Sequence, residues 1–198
     1  GMGKYVTAAE AVQVVKSGDR VYVQAAAATP TILTKALTDR ASELRNVELC
    51  HLHTEGDAPY ANPELAESFH VNSFFIGANV RHTLKAGNGS YTPVFLSELP
   101  LLFRKNVVKL DVAFIHVSPP DSHGYCSLGV SVEASVAAIE NAKIVIAQVN
   151  PQMPRTFGDG ILHVSEIDYL VEVNLPIFAH DVTPFTAEEE KIGTYVAS

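Results

Sequence analysis

The sequence predicts an open three-layer α/β/α domain built on a mostly parallel sheet. Three observations carry that expectation. Apolar runs such as Leu110-Asp-Val-Ala-Phe-Ile-His-Val117 and Ile144-Val-Ile-Ala147 fit strands buried on both faces. Capped helical stretches separate the runs, and strand–helix–strand order implies right-handed parallel crossovers. Proline and polar residues close the strands abruptly, as at Ser118-Pro-Pro-Asp121 and Asn150-Pro151, because proline lacks the ladder donor.

In chain order, Thr7-Ala-Ala-Glu10 reads as a capping box opening a helix toward Lys16, stopped by Ser17-Gly18-Asp19. Arg20 to Gln24 is the first strand. Thr29 is placed as an N-cap and Pro30 as the first residue of a helix running to Leu44. Val47 to His51 is a strand, Asn62-Pro63 starts a short helix, and Val71 to Ile76 is the next strand. A helix over 80–86 follows, then a Gly87–Ser90 turn, a short strand at 94–96 and a helix opening at Ser97. Leu110 to Val117 is the strongest strand signal. Residues 123–129 read as a small excursion or hairpin. Ser131 to Ala142 is helical and delivers the chain to the Ile144 strand. Ile161 to Val173 holds one or two strands, and Thr183 caps a final helix with acids in its first turn.

The 198 residues suffice for one domain with a real core. With 47% apolar and 18% charged residues, the chain is not a disordered segment. A net charge of −8 without a basic cluster repels nucleic acid, which is excluded as a partner. No apolar run approaches the roughly 20 residues that span a bilayer, so no membrane partner is expected. Gly1-Met2-Gly3-Lys4 has no apolar h-region; Gly1 reads as a scar of tag removal. Cys50 and Cys126 make no disulfide framework, and a cytoplasmic location is expected.

Neither a Gly-x-Ser-x-Gly elbow nor a dinucleotide-type glycine fingerprint is present. His51 and His53 are spaced to share a strand face, as zinc ligands do, but a third ligand is not evident, and no metal is expected. Cys126 beside His123 offers a thiol nucleophile; the competing reading is a small core residue. The remaining chemistry lies at polar strand ends: Ala25–Thr29, Ser118–Asp121 and Asn150–Asp159. In a parallel sheet these fall on one edge, where open α/β sheets bind ligands. They form one wall of a pocket rather than a complete active site. Arg155 stands out there, because its rigid fork suits a carboxylate or phosphate; the alternative is a surface arginine paired with Asp159 or a neighbour.

Three stretches carry a resemblance: 88–100 (Asn-Gly-Ser-Tyr-Thr-Pro-Val-Phe-Leu-Ser-Glu-Leu-Pro), 117–131 (Val-Ser-Pro-Pro-Asp-Ser-His-Gly-Tyr-Cys-Ser-Leu-Gly-Val-Ser) and 146–159 (Ile-Ala-Gln-Val-Asn-Pro-Gln-Met-Pro-Arg-Thr-Phe-Gly-Asp). Together they resemble the N-terminal domain of the acetyl-CoA hydrolase/transferase family, in its 4-hydroxybutyrate CoA-transferase and butyryl-CoA:acetate CoA-transferase branch. The resemblance implies two similar lobes with the active site between them, and coenzyme A as a substrate. It implies CoA transfer between an acyl-CoA and acetate, butyrate or 4-hydroxybutyrate through a glutamyl-CoA thioester. The glutamate nucleophile of that family belongs to a C-terminal domain that this chain lacks, so no catalytic residue is expected here. By matching motif, Asn150, Arg155, Gly158 and Asp159, with Ser118 and Asp121 as further candidates, are expected to face the substrate. Residues 1–185 are expected to form the domain and 186–198 to lead toward the missing lobe. The partners implied are that lobe, the acyl-CoA and carboxylate substrates, and a second copy in a homo-oligomer. One departure is Ala28-Thr29, where the family tends to carry Gly-Glu before the proline. Acetyl-CoA hydrolysis, or stand-alone sensing of an acyl-CoA or sugar phosphate, are the alternatives.

Overall fold

A computed structural model of the chain describes residues 3–24, 29–51, 58–73, 89–91, 109–128, 132–155 and 160–177. The strands are β1 (Lys4–Tyr5), β2 (Arg20–Val23), β3 (Val47–His51), β4 (Phe69–Ser73), β5 (Gly89–Tyr91), β6 (Leu110–Val117), β7 (Tyr125–Ser127), β8 (Ala142–Val149), β9 (Ile161–His163) and β10 (Tyr169–Glu172). The helices are α1 (Ala8–Ala11), α2 (Thr31–Thr38) and α3 (Val132–Asn141). Eight strands form one sheet in the order β1-β10-β8-β6-β2-β3-β4-β5. Every pairing within it is parallel. All its strands therefore end on the same edge, as the proline-closed runs predict.

β6 and β8 are neighbouring inner strands, fourth and third from the β1 edge, because they are the most apolar runs and an inner strand can be covered on both faces. Alternation divides their side chains. Val112, Phe114 and Ile146 join Val21, Val23, Leu33 and Leu37 in one core layer, under α1 and α2. Ile115, Val117, Val145, Ala147 and Val149 face Ile139 of α3 on the other. Fully burying a side chain such as Phe114 contributes about 2 kcal/mol before entropy is counted. Tyr22 Oη and Ser135 Oγ, 2.9 Å apart, fasten α3 to β2.

Local chemistry moved several boundaries. The capping box forms: Glu10 N donates to Thr7 Oγ1 at 3.1 Å, and Thr7 N donates to Glu10 Oε1 at 2.9 Å. The α-helix ends at Ala11, however, and a 3₁₀ turn over Val12–Val14 replaces the stretch expected to reach Lys16. β-Branched valines disfavour helix continuation. Arg40 Nη1 then takes the carbonyls of Val12 and Val15, both at 2.7 Å, which satisfies the open helix end. α2 stops at Thr38 instead of Leu44; the Thr34 and Thr38 hydroxyls bond back to the carbonyls of Thr31 and Thr34. Its N-cap is Pro30, not Thr29, and Pro30 has no side-chain bond to give.

β1 was not anticipated, since two residues leave no period to read. β4 starts at Phe69, two residues before the expected Val71, and Gly89 and Ser90 lie in β5 rather than a turn. β7 does not close a hairpin of its own; it pairs antiparallel with β9. The expected elements at 80–86, 94–96, 97 onward and 183–190 lie outside the described residues. No helix among the described residues is long and apolar enough to cross a membrane.

Candidate functional site

The carboxyl edge of β6 and β8 organises the polar residues of the domain. Past β6 the chain makes an excursion that returns at β7. Ser118 is buried, and its Oγ accepts from Ser127 N at 2.8 Å, while Ser118 N donates to Ser127 O at 2.9 Å. Asp121 Oδ1 accepts from His123 N at 2.8 Å and Tyr125 N at 2.9 Å, closing a side-chain turn. The Tyr125 N–H chiefly holds the Asp121 carboxyl below its usual range, with the His123 N–H and the Arg155 charge adding to it. Gly124 takes φ +87°, and a Cβ there would meet His163 Nε2 at 2.8 Å, so glycine is required on both counts. His163 ties the turn to β9: its Nε2 lies 3.1 Å from His123 O, and its Nδ1 accepts from Ser165 N at 3.1 Å. That pairing makes Nε2 the protonated nitrogen.

Arg155 lies across this excursion. Its Nη2 donates to Pro119 O at 2.8 Å and Tyr125 O at 2.9 Å. The residue is exposed, and no hydrogen bond joins Nε or Nη1 to another described residue. One nitrogen thus anchors the guanidinium to the backbone of the excursion. Arg155, Asp121 and Ser118 therefore come together. Asn150 does not join them: its side chain is fully buried and turned to His116, Gln152 and Leu175. Gly158 and Asp159 lie outside the described residues, as do His53 and Ala25–Ala28.

Cys126 is buried with 0% exposure, and burial pushes its thiol up to about 11. At neutral pH about one molecule in ten thousand would carry the thiolate, too few for a nucleophile. Among the described residues, no cluster of three His, Cys, Asp or Glu side chains is placed to hold a metal.

Sequence reading missed three buried polar residues at this edge. Gln24 Oε1 accepts from His116 N at 2.9 Å, and its Nε2 donates to Leu128 O at 3.1 Å. Gln148 Oε1 accepts from Ile32 N at 3.1 Å and Leu33 N at 3.3 Å, so a residue of β8 caps α2. Gln148 Nε2 is buried without a hydrogen-bond partner. His116 lies beside Asn150. Each sits at the last positions of an apolar run, and a polar residue closing such a run was the available signal.

Open α/β domains of this kind gather ligands at the carboxyl ends of their strands. A profile of the acetyl-CoA hydrolase/transferase N-terminal domain matches residues 2–179. The chain belongs to that family. It is 42% identical over 184 residues to the succinyl-CoA:acetate/propanoyl-CoA:succinate CoA transferase of Fasciola hepatica, covering 92% of this chain and 38% of that protein. It is 38% identical to the 4-hydroxybutyrate coenzyme A transferase of Clostridium kluyveri, covering 98% of this chain and 46% of that one. RipA from Yersinia pestis superposes with a TM-score of 0.83 at 29% identity, over 96% of this chain and 46% of that one. The chain thus spans less than half the length of these relatives.

Proposed function

We propose that this chain is the N-terminal lobe of an acyl-CoA:carboxylate CoA-transferase, and that it supplies shape and a cationic clamp while a second lobe supplies the nucleophile. The observation that carries the reading is the match of residues 2–179 to one domain of relatives named as CoA transferases, all more than twice this chain's matched length. Those names favour transfer over hydrolysis and over a sensing role.

A glutamate carboxylate of the second lobe attacks the thioester carbonyl. The C–S bond breaks, leaving an acyl–glutamyl anhydride and CoA thiolate. The thiolate then attacks the glutamyl carbonyl, which releases the acyl group as a carboxylate and leaves glutamyl-CoA. An incoming carboxylate reverses the two steps, so no water is consumed and the thioester is conserved. Arg155 faces the carboxylate through Nε and Nη1, with Ser118 and Asp121 shaping the loop that holds it. The short-chain carboxylate is acetate, butyrate or 4-hydroxybutyrate; coenzyme A enters as a substrate, and no metal is required. Residues 1–185 form the lobe, and 186–198 lead toward its partner in a cytoplasmic homo-oligomer.

The test is complementation. The 198-residue chain alone should show no exchange of label between acetyl-CoA and butyrate, and adding the complementary polypeptide should start it. Exchange by the chain alone would refute the division of roles.

A further inference from the structure

After β10 the chain runs over residues 173–177 outside the ladder and without regular secondary structure. Val173 N donates to Val149 O at 2.9 Å. Beyond that, two side chains hydrogen-bond it: Gln152 Nε2 donates to Asn174 Oδ1 at 2.5 Å, and Asn150 meets Leu175 through both ends of its amide. Asn150 is fully buried just past the end of β8. Its Oδ1 accepts from Gln152 N at 3.0 Å and Leu175 N at 3.2 Å, and its Nδ2 donates to Leu175 O at 2.9 Å. The amide pairs with Leu175 as a neighbouring peptide group would.

The orientation of that amide is settled by its partners. Two backbone N–H groups face Oδ1, and exchanging O for N would set donor against donor. The second Nδ2 hydrogen then points at His116 Nε2, 3.2 Å away, and this nitrogen has to accept. All the hydrogen-bonding capacity of Asn150 is taken by protein.

We infer that Asn150 is a positioning residue rather than a substrate contact. It fixes the path by which the chain leaves the domain and, through His116, ties that path to the end of β6. Leu175 stands four residues before the end of the matched domain at 179. Whatever follows in the longer relatives starts from a point that this amide sets. Only this last step rests on the two-lobe reading; the pin itself does not.

The test uses Asn150→Asp, which keeps the shape and both acceptor bonds but removes the two N–H donors. Ring nitrogen NMR on the native chain at neutral pH should show His116 Nε2 unprotonated and Nδ1 protonated. In the variant the carboxylate should draw a second proton onto the ring. Amide exchange over 173–177 should quicken tenfold or more, with β6 and β8 unchanged. A protonated Nε2 in the native chain would overturn the inference, and that reading needs no variant. So would an unchanged Leu175 exchange rate, or a loss of protection spread evenly over β6, β8 and 173–177. These readouts do not involve activity, so a failed complementation leaves them standing.

Discussion

The proposed role of Arg155 and its observed one can be separated by substitution. Nη2 holds the Pro119 and Tyr125 carbonyls together, and we propose that Nε and Nη1 take the carboxylate. Arg155→Lys should keep a charge but lose the fork, because an ammonium is a point donor. In the complemented enzyme we expect Arg155→Lys and Arg155→Ala both to raise KM for the carboxylate about tenfold, the equivalent of ~1.4 kcal/mol. Steady-state kinetics would show it; an unchanged KM would remove Arg155 from the site.

Asp121 has a pH signature. Its carboxyl is held below the usual range, so its contribution is present above the ordinary aspartate value and is lost as pH falls through the lowered one. The 121–125 turn should therefore stay closed at neutral pH and open only in acid, below the ordinary aspartate range. Tyr125 amide exchange, corrected for its intrinsic pH dependence, would report this. Asp121→Asn should abolish the acid transition, since its side-chain oxygen still accepts without titrating.

At the scale of elements, the two N-terminal helices are capped by different means. α1 carries its own box in Thr7 and Glu10. α2 borrows Gln148 from the middle of the sheet. Thr7→Ala should cost ~1 kcal/mol. Gln148→Met, close in shape, should cost about as much, ~1 kcal/mol, since it uncaps two N–H groups while removing a buried unpaired one. Urea unfolding of both variants measures this; a neutral Gln148→Met would show that α2 needs no cap from β8. The first cap was legible because its partners are three residues apart. The second was not, because Gln148 and Ile32 are 116 residues apart in the chain. The same holds for β7 and β9: each is three residues long, and only their pairing, from Tyr125 with His163 to Ser127 with Ile161, shows them to be one sheet.

For the whole molecule, the parallel sheet places every strand end on one edge, and that edge carries Arg155, the 118–127 excursion and the pinned exit segment. The large apolar side chains exposed among the described residues are Tyr5 and Tyr125. Tyr125 belongs to the excursion, and its ring lies 4.9 Å from that of His163. A second lobe that closes over this edge would cover it.

By itself the sequence determined the class of fold, the most apolar inner strands and the edge on which the strands end. Those follow from hydrophobic period and from proline, which act over a few residues. The tertiary structure alone decided what the polar strand ends do. A side chain such as Asn150 looks like a ligand-facing residue in sequence because its partners, His116 and Leu175, are remote; their distances turn it into a pin. Hydrogen bonds are satisfied wherever the fold brings a donor to an acceptor, and for these residues that place lies 25 positions or more along the chain.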